Sequence, residues 1–410
     1  MGMGIAAPVL PAYAKTFDVS FATAGLIIIV QPWGSVLATF PTGYMVDRVG
    51  RKPVLIAGPV LTAISAIMTA FAPTFAFLLF CRFLNGMSEQ MWQQARLAMI
   101  ADTGGDRERG KLITWMGSMS RFGNMFAPAI AGVVAVIDIR IPFLIHGILV
   151  LLILVPSIRY TRETKPELKA GEGDGDWKFI WSELVKPHML WFLAAQIFAN
   201  LTRGNIQAIM SLFMAYQYGR GPTSLGLIAS ANSFANIPIG FATGTIMDRY
   251  GRKKTVVPGF ASMAVAAAFL VYTVIDHSPF WVFLIGYFWI NMSQGITGGN
   301  MQVLGSDLAP ARARGRFIGI WRMLAAFGNA GSPTIFSALA TIGYAASFSF
   351  IGFCAATVSI IIAFKVKETI RPRERASPVP VPAPPPEPAA TASAGTSTTG
   401  SASSEDPQQT

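Results

Sequence analysis

The chain has 410 residues, of which 52% are hydrophobic and only 13% are charged, and its formal net charge is +11. About a quarter of the residues of a soluble protein are charged, so this composition excludes a fully solvated surface. The positive charge does not indicate a nucleic-acid partner, because Lys and Arg collect in the cytoplasmic loops of membrane proteins.

Apolar runs follow one another along most of the chain. About 20 apolar residues cross the hydrocarbon core as a helix, and lipid offers the backbone no other hydrogen-bond partner. The sequence therefore predicts an all-α polytopic membrane protein. We place the spans at 21–42, 52–72, 75–101, 110–136, 140–159, 188–217, 222–246, 254–275, 279–306, 314–340 and 343–365.

The segment ahead of these spans, residues 1–13, contains Pro8 and Pro11. As a helix it would extend only about 20 Å, which is short of the roughly 30 Å hydrocarbon core. We expect the outer end of a first helix whose inner half is absent, through a late start codon or a truncated gene. A re-entrant stub is the alternative.

The basic residues divide the loops into two sets, one with 24 Lys and Arg and the other with 3. The basic side is expected to be cytoplasmic, which places the C-terminus there as well. We divide the chain into an N-terminal bundle (1–159), a central cytoplasmic loop (160–187), a C-terminal bundle (188–370) and a disordered tail (371–410). Within the central loop, Trp177–Lys186 is expected to form a short helix on the membrane surface.

An internal repeat relates the two halves. Gly43–Lys52 and Gly244–Lys253 share the pattern G-x-x-x-D-R-x-G-R-K, and each follows the second span of its half. Phe122–Asn124 recurs as Phe327–Asn329 at a spacing of 205 residues, and acids ahead of these segments recur at the same spacing. The pattern indicates a duplicated six-helix unit, as in carriers whose halves rock about a central site.

These motifs resemble those of the major facilitator superfamily, and the resemblance covers residues 1 to about 370. It implies two pseudo-symmetric six-helix bundles and a secondary transporter in the cell membrane. Arg82 and Gly86 fit the R-x-x-x-G of the fourth helix. Gly123–Gly132 is similar to the G-x-x-x-G-P-x-x-G-G stretch of proton-driven exporters, with Ala127 and Ala131 in place of two glycines.

The resemblance also implies a latch that holds the cytoplasmic side shut. In the family, the Asp of the repeated loop caps a helix of the opposite half, and the later Arg links to an acid that ends the fourth helix. From the residues alone, we expect the first glycine of each loop to allow close helix packing and the second to permit a tight turn. The latch residues are Gly43, Asp47, Arg48, Gly50, Arg51 and Asp102, and in the second half Gly244, Asp248, Arg249, Gly251, Arg252 and Asp307.

Charged and amide side chains within the spans predict a polar pathway. Such groups are costly in a membrane and face a cavity or a partner. On the fourth helix, Arg82, Glu89, Gln93 and Arg96 lie on one face, and the two arginines are close enough to the helix ends to reach the interface. The other pathway candidates are Arg121, Gln196, Asn200, Arg203, Gln207, Asn232, Asn236, Asn291, Gln294 and Arg322.

Glu89, with Arg82, is the candidate for proton coupling, because burial disfavours an ionised carboxylate and a nearby guanidinium favours it. The alternative is a structural ion pair of Glu89 with Arg82 or Arg96. Five arginines against one glutamate favour an anionic or amphiphilic substrate, since guanidinium groups bind carboxylate, phosphate and sulfonate.

The sequence favours a secondary transporter that exports a small organic molecule in exchange for protons. Proton-symport uptake of an organic anion and a transporter-like sensor without flux are the alternatives. We expect no enzyme, because no nucleophile–base pair, phosphate-binding loop or metal-ligand spacing occurs. A monomer without cofactor or metal is expected, and Cys81 and Cys354 are not expected to form a disulfide.

Overall fold

The computed structural model describes residues 2–102, 106–161, 163, 177–204, 206–308 and 314–366. Within these ranges, the side chains of 2–6, 101, 102, 106–118, 121, 177, 178, 180, 248–250, 299, 300, 302, 303, 306, 307 and 314–316 are left out of the description. Residues 1–372 form one compact unit. The expected disordered tail, 371–410, lies outside the described residues.

The described residues are almost entirely helical, as the sequence predicts. The helices of the first half are α1 (Gly2–Lys15), α2 (Phe21–Arg48), α3 (Arg51–Ala70), α4 (Phe75–Asp102), α5 (Asp106–Val134) and α6 (Ile141–Tyr160). The helices that follow are α7 (Trp177–Leu184), α8 (Pro187–Leu201), α9 (Ile206–Gln217), α10 (Pro222–Tyr250), α11 (Lys253–Ile275), α12 (Phe280–Leu308), α13 (Arg314–Ala340) and α14 (Tyr344–Lys365).

Six of these helices, α2, α3, α6, α10, α11 and α14, are long and apolar enough to cross a membrane by length and composition. Helices α4 and α12 are as long but carry the polar side chains that the sequence assigns to a pathway. The short helix expected in the central loop is present as α7.

The prediction of one continuous span over 188–217 is wrong, because the chain leaves the helix between α8 and α9. At this break, a Cβ on Gly204 would overlap the carbonyl oxygen of Asn329 and lie 2.6 Å from Cβ of Ser332. The backbone therefore packs directly against α13 at a point where only glycine fits. The periodic polar pattern continues across the break, which is why the sequence does not reveal it.

Helix α1 packs against α5, α6, α9 and α10 and so contacts both halves. Lys15 at its end donates a hydrogen bond to the carbonyl oxygen of Ala215 at 2.6 Å, and its Nζ lies 4.9 Å from the ring centroid of Tyr216. The hydroxyl of Tyr216 donates in turn to the carbonyl oxygen of Val19. These contacts join the halves at the end of the molecule away from the repeated basic loops.

Two helix pairs, α2 with α13 and α5 with α10, form the main interface between the halves. In the second pair, a Cβ on Gly226 would overlap the carbonyl oxygen of Pro128, and one on Gly132 would lie 3.2 Å from Cα of Gly226. Ser230 accepts a hydrogen bond from the amide of Ala129 at 3.0 Å. Small residues thus bring the two backbones into contact.

The pair α2 and α13 is in contact at one end and separated at the other. Gly25 packs against Ser337, and Nε1 of Trp33 donates to Oγ1 of Thr334 at 3.1 Å. Tyr44 follows Trp33 by about three helical turns on the same face of α2, yet it is 62% exposed.

The residues of α2 between these two positions are also uncovered, since Leu37 and Phe40 are 59% and 68% exposed. On α13, Gly319 precedes Ser337 by about five turns on the same face. No neighbouring atom lies within 4 Å of the position of a Cβ on Gly319. The described parts of the two halves therefore separate toward the end that carries the basic loops.

We expect Gly226→Ala to destabilise the protein by about 1–3 kcal/mol, because the new methyl group overlaps the backbone of α5. Gly319→Ala is the matched control, since the same change is made within a helix in open space. It should be neutral or slightly stabilising. Thermal unfolding in detergent compares the two variants, and equal melting temperatures would contradict the described α5–α10 contact.

Candidate functional site

A network of polar side chains joins α2 and α4 in the first half. Gln31 is only 3% exposed, and its Oε1 accepts a hydrogen bond from Nη2 of Arg82. Its Nε2 donates to Oε2 of Glu89 at 3.1 Å and to Oδ1 of Asn85 at 3.3 Å. Gln93 donates to the other oxygen of Glu89 at 3.2 Å. Gln31 therefore lies between the guanidinium and the carboxylate.

The structure changes two expectations for α4. Arg82 is buried and bound to Gln31, so the expectation that it reaches the membrane interface is wrong. Among the described side chains, Glu89 forms no direct ion pair with Arg82 or Arg96. Arg96 instead lies over the ring of Trp92, with its Cζ 4.6 Å from the ring centroid.

Sequence reasoning missed Gln31 as a site residue. It lies in the apolar stretch Leu26–Trp33, where a single amide gives no periodic pattern. The available signal was the polar residue itself, because a lone amide in an apolar span is costly unless it is hydrogen-bonded.

In the second half, Arg203 lies in the break between α8 and α9 and binds α12. Its Nη2 donates to the carbonyl oxygen of Gln294 at 3.2 Å and to Oγ1 of Thr297 at 2.9 Å. Its Nη1 donates to the carbonyl oxygen of Gly298 at 3.4 Å. A Cβ on Gly298 would lie 3.1 Å from Nη2, so the guanidinium rests on the α12 backbone.

No carboxylate pairs with Arg203 among the residues described. Its Nε is buried and has no hydrogen-bond partner in this part of the chain. A guanidinium has five N–H donors in a fixed planar arrangement. The contacts to α12 use three of them, so Nε and one Nη1 hydrogen make no hydrogen bond to a described residue.

Amide side chains surround Arg203. Gln294 donates to the carbonyl oxygen of Thr202 at 3.3 Å, and Asn329 on α13 donates to Oδ1 of Asn200 at 3.3 Å. Asn200 donates to the carbonyl oxygen of Gln196 within α8. The structure thus brings together Gln196, Asn200, Arg203 and Gln294 from the predicted pathway. It also adds Thr297 and Asn329, which the sequence reading did not include in the site.

The other residues that the sequence assigns to the pathway do not all lie in one cluster. Asn236 donates to both oxygens of Asn232 on α10 and packs against Gly295 of α12. Asn291 is buried and donates to the carbonyl oxygen of Tyr287 within its own helix. Gln207 is half-buried on α9. The side chain of Arg121 lies outside the described residues.

Arg322 lies on α13 about two turns before Asn329 and on the same face. Its side chain is exposed, and its place in the pathway stays a prediction. The physical reason for this exposure is the separation of the halves at this end of α13, where nothing described covers it.

Equivalent positions of the two halves carry different polar side chains. Helices α4 and α12 begin 205 residues apart, so Gln294 is the equivalent of Glu89. Helices α2 and α10 begin 201 residues apart, so Asn232 is the equivalent of Gln31. The acid in the first half is therefore replaced by an amide next to Arg203 in the second.

The described residues of the predicted latch lie at the separated end. Asp47 and Arg48 are exposed, and Asp47 makes no hydrogen bond or ion pair to any described residue. Gly50 and Gly251 have φ of +119° and +102°, which confirms the tight turns. The side chains of Asp102, Asp248, Arg249 and Asp307 lie outside the described residues.

The expectation that Gly43 and Gly244 allow close helix approach is not met in this conformation. Among the described residues, no neighbouring atom lies within 4 Å of a Cβ at either position. The described partner of the first basic loop is Glu163 of the central loop. Its carboxylate accepts from the amides of Arg51 and Lys52 at 2.9 and 3.0 Å, at the start of α3. Arg51 and Arg252 take part in further interactions as well.

Two related helix bundles with polar side chains along their shared interior define a membrane transporter with a two-half architecture. The chain belongs to the Major Facilitator Superfamily, whose family model matches residues 1–200 and 192–401. The resemblance seen in the sequence is thereby confirmed.

The chain is similar to two drug resistance proteins. It is 25% identical over 239 residues to the quinolone resistance protein NorA of Staphylococcus aureus, an alignment that covers 55% of this chain and 58% of NorA. It is 23% identical over 262 residues to multidrug resistance protein 2 of Bacillus subtilis, covering 62% of this chain and 66% of that protein. The matched region is thus less than two thirds of either relative.

Solved structures share the fold. A D-xylose–proton symporter superposes with a TM-score of 0.74 at 17% identity, covering 90% of this chain and 95% of that chain. The inward open conformation of the xylose transporter XylE from E. coli gives a TM-score of 0.72 at 16% identity, covering 90% and 94%. At this identity the likeness establishes the fold alone.

The separation of α2 and α13 can be tested by disulfide cross-linking after Cys81 and Cys354 are replaced by Ala. We expect Gly25→Cys with Ser337→Cys to form a disulfide on oxidation, because a Cβ on Gly25 would lie 3.2 Å from Cβ of Ser337. Bonded cysteines have a Cβ–Cβ distance of about 3.8 Å. The pair Tyr44→Cys and Gly319→Cys should remain reduced without ligand. The reverse pattern on gels would contradict the described conformation.

Proposed function

We propose that this protein is a proton-coupled exporter of small organic molecules that carry a carboxylate or another anionic group. The observation that carries the proposal is the division of charged groups between the halves. Glu89 lies in a hydrogen-bonded network of the first half, and Arg203 lies in the second half with no carboxylate partner among the described residues. An acid can carry a proton, and a guanidinium with spare donors can bind an anion.

The loops supply the orientation on which the proposed direction of transport rests. Because the repeated basic loops favour the cytoplasmic side, the separated ends of α2 and α13 would open to the cytoplasm. The latch would then be open in this conformation, in agreement with the exposure of Asp47. A substrate could reach Arg203 from the cytoplasm, with the exposed Arg322 near the entrance.

The name of one relative supports this substrate class. NorA is a quinolone resistance protein, and quinolones carry an aromatic carboxylate. Such a ligand combines an apolar ring system with the planar anion that an Arg fork recognises. Nalidixic acid, a quinolone-type carboxylate without a basic amine, is therefore the first probe, and ethidium is a cationic probe of similar aromatic character.

Everted membrane vesicles from cells that express the protein distinguish direction and substrate. We expect energised vesicles to accumulate nalidixate and an uncoupler to abolish the accumulation. Uptake by intact cells, with no accumulation by everted vesicles, would indicate symport instead. Binding without flux in either preparation would indicate a sensor.

Arg203→Met should weaken nalidixate binding about tenfold or more, because it removes a charge-assisted hydrogen-bonding group. Arg203→Lys should recover only part of the affinity, since it keeps the charge but loses the planar fork. Arg220→Met is the control, because Arg220 is exposed and lies over Phe280 outside the site. Tryptophan fluorescence titration of the purified protein measures the affinity, and unchanged affinity of Arg203→Met would contradict the anion site.

Asp47→Asn should impair transport without abolishing membrane insertion. The carboxylate would stabilise the state in which the cytoplasmic side is shut, since an acid near a helix N-terminus contributes about 0.3–1 kcal/mol or more. Asp18→Asn, at the opposite end of the molecule, is the matched control. Transport rates normalised to the amount of protein in the membrane are the measurement, and an unchanged rate for Asp47→Asn would eliminate the latch role.

A further inference from the structure

Gln31 connects the two charged groups of the first half in a defined orientation. Its oxygen accepts from Arg82 and its nitrogen donates to Glu89. The opposite orientation of the amide would point N–H groups at the guanidinium and an oxygen at the carboxylate, which both partners disfavour. The neighbours therefore fix the orientation of the amide, and the amide keeps the two charges apart.

The separation of Arg82 from Glu89 by the Gln31 amide changes the free energy needed to protonate Glu89. In a direct buried ion pair, neutralising the acid leaves the guanidinium without a partner, which is strongly unfavourable. Here Arg82 keeps its acceptor on Gln31 whatever the charge of Glu89. A protonated Glu89 still offers an oxygen to Nε2 of Gln31, and it can donate to Oε1 of Gln93 once the amide of Gln93, which now donates to Glu89, turns over. The hydrogen bonds of Gln31 to Arg82 and Glu89 can thus be kept in both protonation states.

Gln31 also lies on the helix that contacts the other half. A Cβ on Gly86 would overlap the carbonyl oxygen of Gln31, so α2 and α4 are in backbone contact at this level. Ser35, one turn later, donates to the carbonyl oxygen of Gly86 at 2.8 Å. Trp33 lies between these residues along α2 and reaches Thr334 of α13. A change at Glu89 therefore acts directly on the helix that joins the halves.

We infer that Gln31 is a positioning residue that holds Glu89 and Arg82 apart and links the protonation of Glu89 to the movement of α2 against α13. The inference rests on the proposed role of Glu89 in proton coupling. It assigns to Gln31 neither substrate binding nor proton transfer.

The pH response of Glu89 has to be distinguished from the effects of other charged groups nearby. On α4 these are Arg82 and, about two turns away, Arg96. On α6, His146 interacts electrostatically with Arg82. The described groups that α2 and α3 contribute to this network are the amide of Gln31 and the hydroxyl of Ser65, which do not titrate in the range used. The side chains of Arg121 and of residues 2–6 lie outside the described residues.

The experiment measures the distance between spin labels at Tyr44→Cys and Gly319→Cys, in a chain whose own cysteines are replaced by Ala. Double electron–electron resonance in lipid nanodiscs, without ligand, gives the populations of open and closed states at about pH 8 and about pH 5.5, on either side of the range in which a perturbed carboxyl titrates. We expect the labelled chain without further substitutions to change its populations of open and closed states between these two pH values.

Gln31→Met should reduce this pH-dependent change in population about threefold or more, because methionine has a similar length but forms neither hydrogen bond. Ser35→Ala is the matched control, since it removes a hydrogen bond between the same helices without touching Glu89. His146→Gln should also retain the response. If Gln31→Met does not fold, Gln31→Asn replaces it, because it stays polar but is too short to reach both partners.

The possible outcomes separate the two proposals. Glu89→Gln should abolish the response. If it does and Gln31→Met behaves like the unmodified chain, the inference about Gln31 is overturned while the role of Glu89 stands. If Glu89→Gln keeps the full response, or His146→Gln alone removes it, the proposed coupling role of Glu89 fails and the inference fails with it. An equal loss of the pH response in Ser35→Ala and Gln31→Met would show that Gln31 acts only through helix packing, which overturns the inference.

Discussion

The burial of the Arg203 guanidinium, which has no carboxylate partner among the described residues, is the constraint on which the second half depends. A buried charge needs hydrogen-bond partners, and Arg203 obtains them from carbonyl oxygens and a hydroxyl of α12. To reach them, the chain leaves the helix between α8 and α9. Gly204 lets the break pack against α13, and Gly298 lets the guanidinium rest on α12. Backbone geometry, small residues and unused donors are therefore parts of one arrangement.

The first half meets the same constraint differently. Arg82 donates to Gln31, which also binds Glu89, and the position equivalent to Glu89 in the second half is Gln294. Duplication supplied both halves with polar positions at the same depth of α4 and α12, and the side chains there have since diverged into Glu89 and Gln294. A fold with two equivalent bundles thus acquires two different sites. Both polar clusters contact helices of the α2–α13 interface, Gln31 on α2 and Asn329 on α13, which is in contact at one end and separated at the other.

The sequence predicts most of the fold and part of the site, for physical reasons. Span length, charge asymmetry and the repeat follow from local composition, so the helices and their grouping could be predicted. The break at Gly204 could not, because its cause is a contact with α13 that is distant in the sequence. Gln31 gives no periodic signal, and its partners lie on another helix. The exposure of Arg322 depends on which ends of the halves are apart, and a single sequence does not indicate which of these conformations is populated.

One measurement tests the central claim most directly: a cryo-electron microscopy structure of the full chain in nanodiscs with nalidixate at saturating concentration. The account predicts ligand density between the α8–α9 break and α12, with the carboxylate within about 3 Å of Nε of Arg203. The Gln31–Glu89 network should then be free of ligand. Density for the carboxylate beside Glu89, or an aromatic ligand bound with its carboxylate away from Arg203, would contradict the proposal that Arg203 binds the anion and Glu89 carries the proton.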